Sequence, residues 1–392
     1  MGGGLMQLVA YGAQDIYLTG NPQITFFKVV YRRHTNFSME AIEQTINGTP
    51  ALGSTSTVTV SRNGDLVHKM YLEFSGGVEA DGCANFGSAL IDNVELEIGG
   101  QKIDKHYGHW MEVWSELTEP NPTGWTGLQA NALRTGTNFQ NMSGMGGVFG
   151  ANTAVTDTFS VPLQFWFCRN PGLALPLIAL QYHEVKVKIT LQTATLMTFA
   201  ALGATMKLWC DYIYLDTDER RRFAQVSHEY LIEQVQFDTV SGTPTTIDLN
   251  FNHPVKELIW AGLPGAADTD GGPSTPTDIQ GTAATYQIKL NGHDRFAARD
   301  STYFTRTQVW QHHTGFGGIT PSAAGGAEDS IGVYSFALKP EEHQPSGTCN
   351  FSRIDNAQLV IGGTGVAAYN IYAVNYNVLR IMSGMGGLAY SN

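Results

Sequence analysis

Several short segments of the chain alternate apolar with polar residues, and this pattern restricts the fold more than any other feature. Alternation with a period of two is typical of β-strands that bury one face and expose the other. The 44 glycines and 15 prolines are common in the turns that join short strands. The pattern therefore predicts half-buried antiparallel strands. In the first half, the apolar sets are Met70, Leu72 and Phe74; Val94, Leu96 and Ile98; and Val185, Val187, Ile189 and Leu191.

The second half of the chain repeats this plan. A strand-like segment that ends in Gly, then a polar stretch and an aromatic helix-like patch ending in Val-Trp, occurs at 97–114 and again at 289–310. Downstream, FSVPL at 159–163 resembles FALKP at 336–340, and each precedes another alternating segment. This order of elements predicts two similar all-β units, each a sandwich or jelly roll. The inward sets of the second half are Tyr286, Ile288 and Leu290, and Tyr372, Val374, Tyr376 and Val378.

Charged residues make up only 15% of the chain, against about 25% in an ordinary globular protein. So little charge suggests that much of the exterior is covered by other subunits. The formal net charge of -12 argues against direct binding of nucleic acid. No apolar run approaches the ~18 residues of a membrane-spanning helix, so no membrane span is expected. The cysteines have no metal-like spacing and are expected to be buried or idle thiols in a reducing, cytosol-like compartment: Cys83, Cys168, Cys210 and Cys349.

The exception to this low charge is the stretch LDTDERRRFAQVSHEYL at 215–231, which lies between the two units. We interpret it as an extended joint whose acids pair with its own arginines or with arginines elsewhere, at an interface between units or subunits. The alternative is a solvated charged turn that contributes little to stability. The candidate residues of this site are Asp216, Asp218, Glu219, Arg220, Arg221 and Arg222.

No pattern indicates catalysis or a cofactor. His106 and His109 have the spacing of one helix face, and His312 and His313 are adjacent, but neither pair comes with the further ligands that zinc requires. No GxSxG is present, and no cysteine lies in a recognisable pairing with His and Asn. We therefore expect no metal, no cofactor and no enzymatic activity.

The glycine-rich hexapeptide MSGMGG occurs twice, at 142–147 and 382–387. It lacks the GK[ST] of a phosphate-binding loop, so flexible turns are predicted. Of four glycosylation sequons, Asn141, expected in an outer loop, is the best candidate to carry sugar, although it is a weak one. Three tryptophans in aromatic runs are assigned to packing rather than to a cofactor pocket: Trp110, Trp114 and Trp166.

A resemblance covers the chain from about residue 4 to its C-terminus. LDTDERRRFAQVSHEYLIEQVQ looks like the corresponding segment of the major capsid proteins of nucleocytoplasmic large DNA viruses. The same holds, in the same order, for GLMQLVAYGAQDIYLTGNPQITFFKVVYRRHTNF at 4–37, LQYHEVKVKI at 180–189, CNFSRIDNAQL at 349–359 and YNVLRIMSGMGGLAYSN at 376–392.

This resemblance implies a double jelly roll, in which two eight-stranded antiparallel barrels lie side by side, with short helices in the loops. It divides the chain into an N-terminal arm at 1–23, a first jelly roll at 24–219 and a second at 220–392. It also implies a homotrimeric capsomer of pseudo-sixfold outline, in contact with neighbouring capsomers and with minor capsid proteins under the shell, close to an internal viral membrane.

The implied location is the icosahedral capsid of a virion assembled in the host cytoplasm. An alternative function of a different class is a carbohydrate-binding viral attachment protein or lectin-like β-sandwich, which would read sugars through exposed aromatic residues and Asn or Asp on loops. A stable trimer that needs no sugar favours the shell subunit over this alternative.

Overall fold

The computed structural model describes residues 34–75, 84–121, 136–148, 158–193, 205–263, 273–280, 282–321, 327–366 and 368–390. The N-terminal arm predicted at 1–23 lies outside these ranges, as does Cys83. The strands of the first half are β1 Phe37–Gln44, β2 Ile46–Asn47, β3 Thr55–Thr59, β4 Leu66–Ser75, β5 Ile91–Ile98, β6 Gln101–Tyr107, β7 Phe159–Pro162, β8 Leu175–Pro176, β9 Val185–Leu191 and β10 Thr205–Leu215.

The strands of the second half are β11 His228–Ser241, β12 Thr246–Asp248, β13 Pro254–Gly262, β14 Thr282–Leu290, β15 His293–Asp294, β16 Arg299–Asp300, β17 Ile319–Pro321, β18 Ala327–Asp329, β19 Ile331–Ser335, β20 Cys349–Asn350, β21 Ala357–Thr364, β22 Ala368–Met382 and β23 Met385–Leu388. The helices are α1 Phe86–Ala89, α2 Gly108–Thr118, α3 Asn138–Ser143, α4 Trp166–Arg169, α5 Thr217–Gln225 and α6 Gln308–His312. Single 3₁₀ turns lie at Pro171–Leu173 and Phe351–Arg353, and a π-helical turn at Tyr303–Thr307 leads directly into α6.

The two halves have the same strand order. One sheet of the first half runs β1-β10-β4-β7, with β8 beside β4, and the other runs β2-β3-β9-β5-β6. The second half has β11-β22-β13-β19, flanked by β20 and β23, and β12-β21-β14-β15, with β16 beside β14. In the first sheet, β1, β10, β4 and β7 correspond to β11, β22, β13 and β19. In the second sheet, β3, β9, β5 and β6 correspond to β12, β21, β14 and β15, so the order of strands is the same in both halves. The predicted double jelly roll is confirmed.

The hairpins β5–β6 and β14–β15 show how closely the repeat is kept. The first turns at Gly99 and Gly100, with φ of 59° and 84°, and the second at Asn291 and Gly292, with φ of 51° and 77°. Positive φ at both central residues is the requirement of a type I′ turn, which favours Gly and Asn. A helical segment follows each hairpin, as the sequence predicts.

The alternating segments predicted as strands form β4, β5, β9, β14 and β22. The residues predicted to face inward pack in the cores in β4, β5, β9 and β14, whereas the set predicted for β22, with Tyr372 and Val374, lies on the outer face of its sheet. In the first jelly roll, Met70, Leu72 and Phe74 face Val94, Leu96 and Ile98 across the sandwich. A second core lies between the two sheets of the second jelly roll. Since each half has an apolar interior between its two sheets, the chain is two sandwiches rather than one extended sheet, although Ile232, Leu379 and Ile381 of the second half also pack on the first core.

Two sequence predictions about strands are wrong. The segment 336–340 is not the counterpart of FSVPL: that place is taken by β19, which ends at Ser335. The strand stops because the amides of Phe336 and Ala337 both donate to the carbonyl of Lys256 instead of continuing the ladder. β22 is also not half-buried, since its residues from 369 to 377 are all buried. Its outer face is covered by α2, as described below.

Candidate functional site: the interface between the two jelly rolls

Helix α2 joins the two jelly rolls and is buried from Gly108 to Leu117. It follows directly on β6, and Gly108 is required at its start. A Cβ there would lie 2.0 Å from the Ile91 carbonyl oxygen and 2.4 Å from that of Ser88. With a side chain the helix would be pushed off the first jelly roll. The close approach fixes α2 on its own jelly roll while its opposite side remains free to meet the other.

One face of α2 packs on the second jelly roll through Trp110, Val113, Trp114 and Leu117, with the i, i+3, i+4, i+7 spacing of one helix stripe. These four contact the outer face of the sheet β11-β22-β13-β19, and burying a Val or Leu side chain alone stabilises by about 1.5–3 kcal/mol. The prediction that Trp110 and Trp114 are packing residues is confirmed. The residues that they cover are Ile259, Ala261, Ile331, Val333, Tyr372 and Val374.

A histidine strengthens this contact with hydrogen bonds. His109 Nδ1 lies 2.7 Å from the Tyr372 hydroxyl, and its Nε2 lies 3.3 Å from the Gly262 carbonyl oxygen. Burial lowers the pKa of His109 to about 4, so the ring is neutral at neutral pH. His106, the other histidine of the HYGH pair, lies in β6, with its Nε2 2.9 Å from Asp104 Oδ2. Within the described ranges, no three His, Cys, Asp or Glu side chains are grouped so as to hold a metal ion.

The opposite face of α2 carries two buried acids, Glu112 and Glu116. Glu112 Oε1 accepts hydrogen bonds from the amides of Gly146 at 2.8 Å and Gly147 at 2.9 Å, and Oε2 accepts one from Ser88 Oγ at 2.9 Å. Both glycines have φ above 80°, which other residues rarely adopt. The first MSGMGG is therefore a buried amide cradle for a carboxylate, and the prediction of a flexible turn there is wrong. The second copy forms the turn between β22 and β23.

Burial raises the pKa of Glu112, and burial followed by repulsion from Glu112 raises the pKa of Glu116 well above its usual value. Since Glu112 already accepts three hydrogen bonds from donors, its carboxylate is the better stabilised of the two. Glu116 therefore keeps the proton and donates a hydrogen bond to the Glu112 carboxylate. One neutral and one charged acid share a site in which two charges would repel strongly.

A buried ion-pair cluster lies beside Trp114, on the face of α2 that packs on the second jelly roll. Arg169, at the end of α4, reaches Glu233 on β11 with Nη1 2.9 Å from Oε2, while Lys256 Nζ lies 2.8 Å from Oε1. His343 Nδ1 lies 3.5 Å from the same Oε1. Burial opposes ionisation of Glu233, but the hydrogen bond from His343 and the charges of Lys256 and Arg169 lower its pKa to about 2. The Arg169 guanidinium also lies over the Trp114 ring, 4.5 Å from its centroid.

A second cluster holds the C-terminal end of α2. The loop after α6 donates from Gly315 N to the Leu117 carbonyl at 2.7 Å and from Gly317 N to the Glu116 carbonyl at 3.0 Å. These are the carbonyls that a helix end leaves without partners. Gly315 is required here, since a Cβ would lie 2.2 Å from the Glu116 carbonyl oxygen. The second jelly roll therefore caps a helix of the first with its own backbone.

His313 anchors the same loop. Its Nε2 lies 3.0 Å from Glu257 Oε2 and its Nδ1 lies 3.1 Å from Glu341 Oε1, with the imidazole fully buried. Burial disfavours the charged ring, but the attraction of Glu257 and the bonds to both carboxylates raise the pKa of His313 to about 9. The imidazole is therefore protonated at neutral pH. Its edge packs on Trp114 of α2.

The charged stretch predicted as an extended joint is the helix α5, so that prediction is wrong. Asp216 caps the helix by accepting from Thr217 N at 2.7 Å, and Asp218 and Glu219 lie in the first turn with Arg222 in the last. Acids at the start and a base at the end both favour a helix electrostatically. The N-cap residue and the order of charges are sequence signals of a helix, and the prediction of an extended segment did not take them into account.

The residues of this stretch are mostly separated from one another rather than paired among themselves. Arg220 Nε lies 3.0 Å from Asp65 Oδ1 in the loop before β4, and Asp65 Oδ2 accepts from Leu215 N at 2.9 Å. The Arg220 side chain is nevertheless 60% exposed. Arg221 and Arg222 are exposed and form no ion pair within the described part of the chain. The boundary predicted at 219/220 falls inside α5.

Asn141 lies in helix α3 rather than in an outer loop. Its Nδ2 donates to the Gly136 carbonyl at 3.1 Å, and the helix begins with a reciprocal capping box between Thr137 and Gln140. The nitrogen to which a sugar would be attached is thus engaged in this structure. Glycosylation of Asn141 stays a prediction.

Sequence reasoning missed the polar residues that join the jelly rolls: Glu112, Glu116, Arg169, Glu233, Lys256, Glu257 and His313. One signal was available, because Lys256 and Glu257 interrupt the otherwise apolar segment PVKELIWAG. Adjacent opposite charges in such a strand indicate buried partners on both faces. The partners themselves are between 23 and 64 positions away, too far for any local pattern to identify them.

Comparison with known proteins agrees with this architecture. Residues 25–216 match the family model "Major capsid protein N-terminus", and residues 219–387 match "Large eukaryotic DNA virus major capsid protein". This chain belongs to that capsid protein family. The major capsid protein of Pyramimonas orientalis virus is 54% identical over all of both chains, and that of Paramecium bursaria Chlorella virus 1 is 45% identical over all of both chains.

Solved structures of the family have the same fold. A chain of the quasi-atomic model of the PBCV-1 virus capsid is 40% identical, with a TM-score of 0.74 over 94% of this chain and 100% of that one. The Faustovirus major capsid protein shares the fold at 14% identity, with a TM-score of 0.69 over 95% of this chain and 94% of that one. Within the described ranges, no helix has the length and apolar character of a membrane span.

Proposed function

We propose that this member of the capsid family is a purely structural shell subunit. Three copies form a capsomer with a six-sided outline, and these capsomers tile the icosahedral shell of a large DNA virus. The chain has no catalytic role, as expected of a relative of structural capsid proteins. Of the two functions suggested by the sequence, shell assembly has the support of the relatives' names and of the fold.

The observation that carries this proposal is that two jelly rolls of identical strand order are held together by a buried helix. If each jelly roll is an equivalent wedge, three chains present six similar faces around one axis. A closed ring requires that the second jelly roll of one chain meet the first of the next in a head-to-tail contact. The rigid joint at α2 supports such a ring, because a loose joint would not keep six wedges at one angle.

The partners follow from this arrangement. Each capsomer contacts neighbouring capsomers at its rim and minor capsid proteins on its inner side, near an internal viral membrane. Assembly takes place in the host cytoplasm. The net charge of -12 supports a shell that does not bind nucleic acid directly.

The charged helix α5 has a role in this scheme as an assembly element. Arg220 ties it to Asp65 of the first jelly roll, while Asp218, Arg221 and Arg222 face outwards. Their charges suit contacts with other subunits, which would add charge-assisted hydrogen bonds. Asp216 and Glu219 shape the start of the helix.

Oligomer mass tests the proposal. We expect purified protein to elute in gel filtration with light scattering at three times the chain mass, without added sugar. In negative-stain images these particles should have a six-sided outline. A monomer or dimer at every concentration tested would contradict the trimer, and a monomer retained on a glycan column would favour the lectin-like alternative.

A further inference from the structure

A surface groove of about 600 Å³ lies between the two jelly rolls at the end of α5, and we call it the α5 groove. Its walls are residues within 179–182 of the first jelly roll, 224–227 at the end of α5 and 381–384 at the turn between β22 and β23. None of the described residues that line it is charged. The α5 groove therefore suits an apolar occupant better than a charged one.

The α5 groove also presents several large apolar side chains to water. Tyr182 is 75% exposed, Val226 is 54% exposed and Met382 is 50% exposed, and all three line the groove. Met385, which is paired with Met382 across the β22–β23 turn, is exposed as well. Apolar side chains concentrated in this way mark a contact surface.

The walls of the α5 groove are held in place by contacts within the chain. The Tyr182 amide donates to the Gly384 carbonyl oxygen at 3.0 Å, which joins the first jelly roll to the β22–β23 turn. On the α5 side, Phe223 packs on the apolar cluster that contains Leu66, and its carbonyl oxygen lies 2.8 Å from His228 Nε2. Because the groove is already formed, an occupant would lose little free energy in rearranging it.

The N-terminal arm predicted at 1–23 matches the α5 groove in character. Its only charged side chain is Asp15, and residues 5–11 read LMQLVAY, which is mostly apolar. A segment of this composition gains free energy when its side chains are buried against an apolar surface.

The arm also leaves the first jelly roll within reach of the α5 groove. The described chain begins at His34, and Phe37 is paired with Leu215, just before the start of α5. The nine residues of α5 rise about 13 Å at ~1.5 Å per residue, and the groove lies at their far end. The ten residues 24–33 alone can extend over about 33 Å, more than twice the length of the helix.

We infer that the N-terminal arm of each chain docks in the α5 groove of the same chain, with residues 5–11 against Tyr182, Val226 and Met382. The chain's own arm is favoured over another occupant because its tether keeps it at a high effective concentration beside the groove. Both jelly rolls contribute walls to the groove, so docking of the arm adds a further tie across their joint. The inference does not depend on the proposed trimer, since every contact lies within one chain.

Photocrosslinking of the full chain tests the contact. Met382 is replaced by p-benzoylphenylalanine, and the irradiated protein is separated on a denaturing gel and digested with trypsin. The first Lys or Arg of the chain is Lys28 and the last is Arg380. The expected product therefore joins the terminal peptides 1–28 and 381–392, in the band of monomer mass.

Met142 is the matched control, because it holds the equivalent place in the first MSGMGG. It is 44% exposed, close to the value for Met382, but it does not line the α5 groove. The same probe at position 142 should give no product with peptide 1–28.

Methionine oxidation gives an independent measurement. Hydrogen peroxide converts accessible methionine to its sulfoxide, and peptide mass spectrometry follows Met382 and Met142 in one sample. We expect Met382 to be oxidised about fivefold more slowly than Met142, a ratio that corresponds to docking by about 1 kcal/mol. Leu8→Asp places a charge in the apolar part of the arm and should remove this protection without changing the rate at Met142.

Each other outcome would overturn the inference. Crosslinks from position 382 that lack peptide 1–28 would identify a different occupant, and a product with 1–28 at twice the monomer mass would identify the arm of another chain. Equal oxidation of Met382 and Met142 in wild type, or protection of Met382 that persists in Leu8→Asp, would show that the arm does not cover the groove. None of these results bears on the trimer, which oligomer mass tests separately.

Discussion

The guanidinium of Arg169 lies 2.9 Å from the carboxylate of Glu233, and this ion pair links α4 of the first jelly roll to β11 of the second. Arg169 simultaneously lies over the Trp114 ring. One side chain thus contacts both the polar cluster and the apolar stripe that hold the jelly rolls together. Since Glu233 is nearly inaccessible to water, its charge depends on the partners around it.

Arg169→Met should lower the free energy of unfolding by about 2–3 kcal/mol, because it removes one of the cations that balance the buried charge of Glu233 and leaves Lys256 and His343. Methionine keeps much of the packing over Trp114. Denaturant unfolding of the two proteins measures the difference. The matched control is Arg380→Met, which breaks an exposed pair with Glu229 of similar length, 2.8 Å, and should cost less than about 0.5 kcal/mol. Equal losses would show that burial of the Arg169 pair is unimportant.

The raised pKa of Glu116 predicts that the stability of the fold depends on pH. This pKa is raised in the folded state above the ordinary value of 4.5, so the folded protein keeps a proton that the unfolded chain releases. Stability from this site is complete below pH 4.5 and falls as the pH rises towards the folded pKa. Glu116→Gln keeps a donor to Glu112 but cannot lose a proton. Relative to wild type, the variant should therefore gain stability as the pH rises above 4.5. A difference that does not change with pH would exclude the shared proton.

His313 predicts a loss of stability at alkaline pH. Its pKa is raised to about 9 from an ordinary 6.5. Its contribution is therefore complete below pH 6.5 and is lost as the pH rises through about 9. His313→Gln should be destabilised most at pH 6 and progressively less towards pH 10, in unfolding measured at several pH values. His312→Gln, which removes the neighbouring imidazole, is the control. A constant cost of His313→Gln over this range would contradict a charged imidazole.

Gly315→Ala should destabilise by at least about 2 kcal/mol, because the new Cβ would lie 2.2 Å from the Glu116 carbonyl oxygen and displace the loop that caps α2. The control is Gly172→Ala, where the nearest atom, Asn170 Oδ1, is 3.2 Å away. Thermal unfolding of both variants makes the comparison. If Gly315→Ala melts with wild type, the backbone cap at the end of α2 is not needed for stability.

Alanine substitutions at the neighbouring residues Arg220 and Arg221 test the role of the charged helix α5. Arg220→Ala removes the pair with Asp65 and should cost up to about 1 kcal/mol, since the arginine is largely exposed. Arg221→Ala should change the stability of the monomer by less than about 0.5 kcal/mol but should weaken assembly if α5 contacts other subunits. The two effects are read from unfolding and from oligomer mass. Unchanged trimer in Arg221→Ala would remove that residue from the assembly surface.

The strands could be predicted from the sequence where one face of a sheet meets water. In β4, β5 and β9 the apolar set alternates with charged residues, so the inward face is evident without any knowledge of the fold. β22 departs from this pattern because α2, more than 250 positions earlier in the chain, covers its outer face. Tyr372 and Val374 are buried on that outer face, whereas Ile371 and Ala373 fill the inner core.

The joint between the jelly rolls was only partly predictable. The sequence drew attention to the most charged stretch, yet α5 is exposed, because charged side chains are rarely buried unless they are paired. The charges that hold the interface are single residues within apolar surroundings, such as Glu112 and Arg169. Their partners come from other strands and loops, and only the tertiary fold brings them together.

A three-dimensional reconstruction of the purified assembly, even at low resolution, tests the central claim most directly. We predict three chains around one threefold axis, with six wedge-shaped densities in which first and second jelly rolls alternate around the ring. A particle with twofold symmetry, or a threefold particle in which the first jelly rolls contact only one another, would contradict the account.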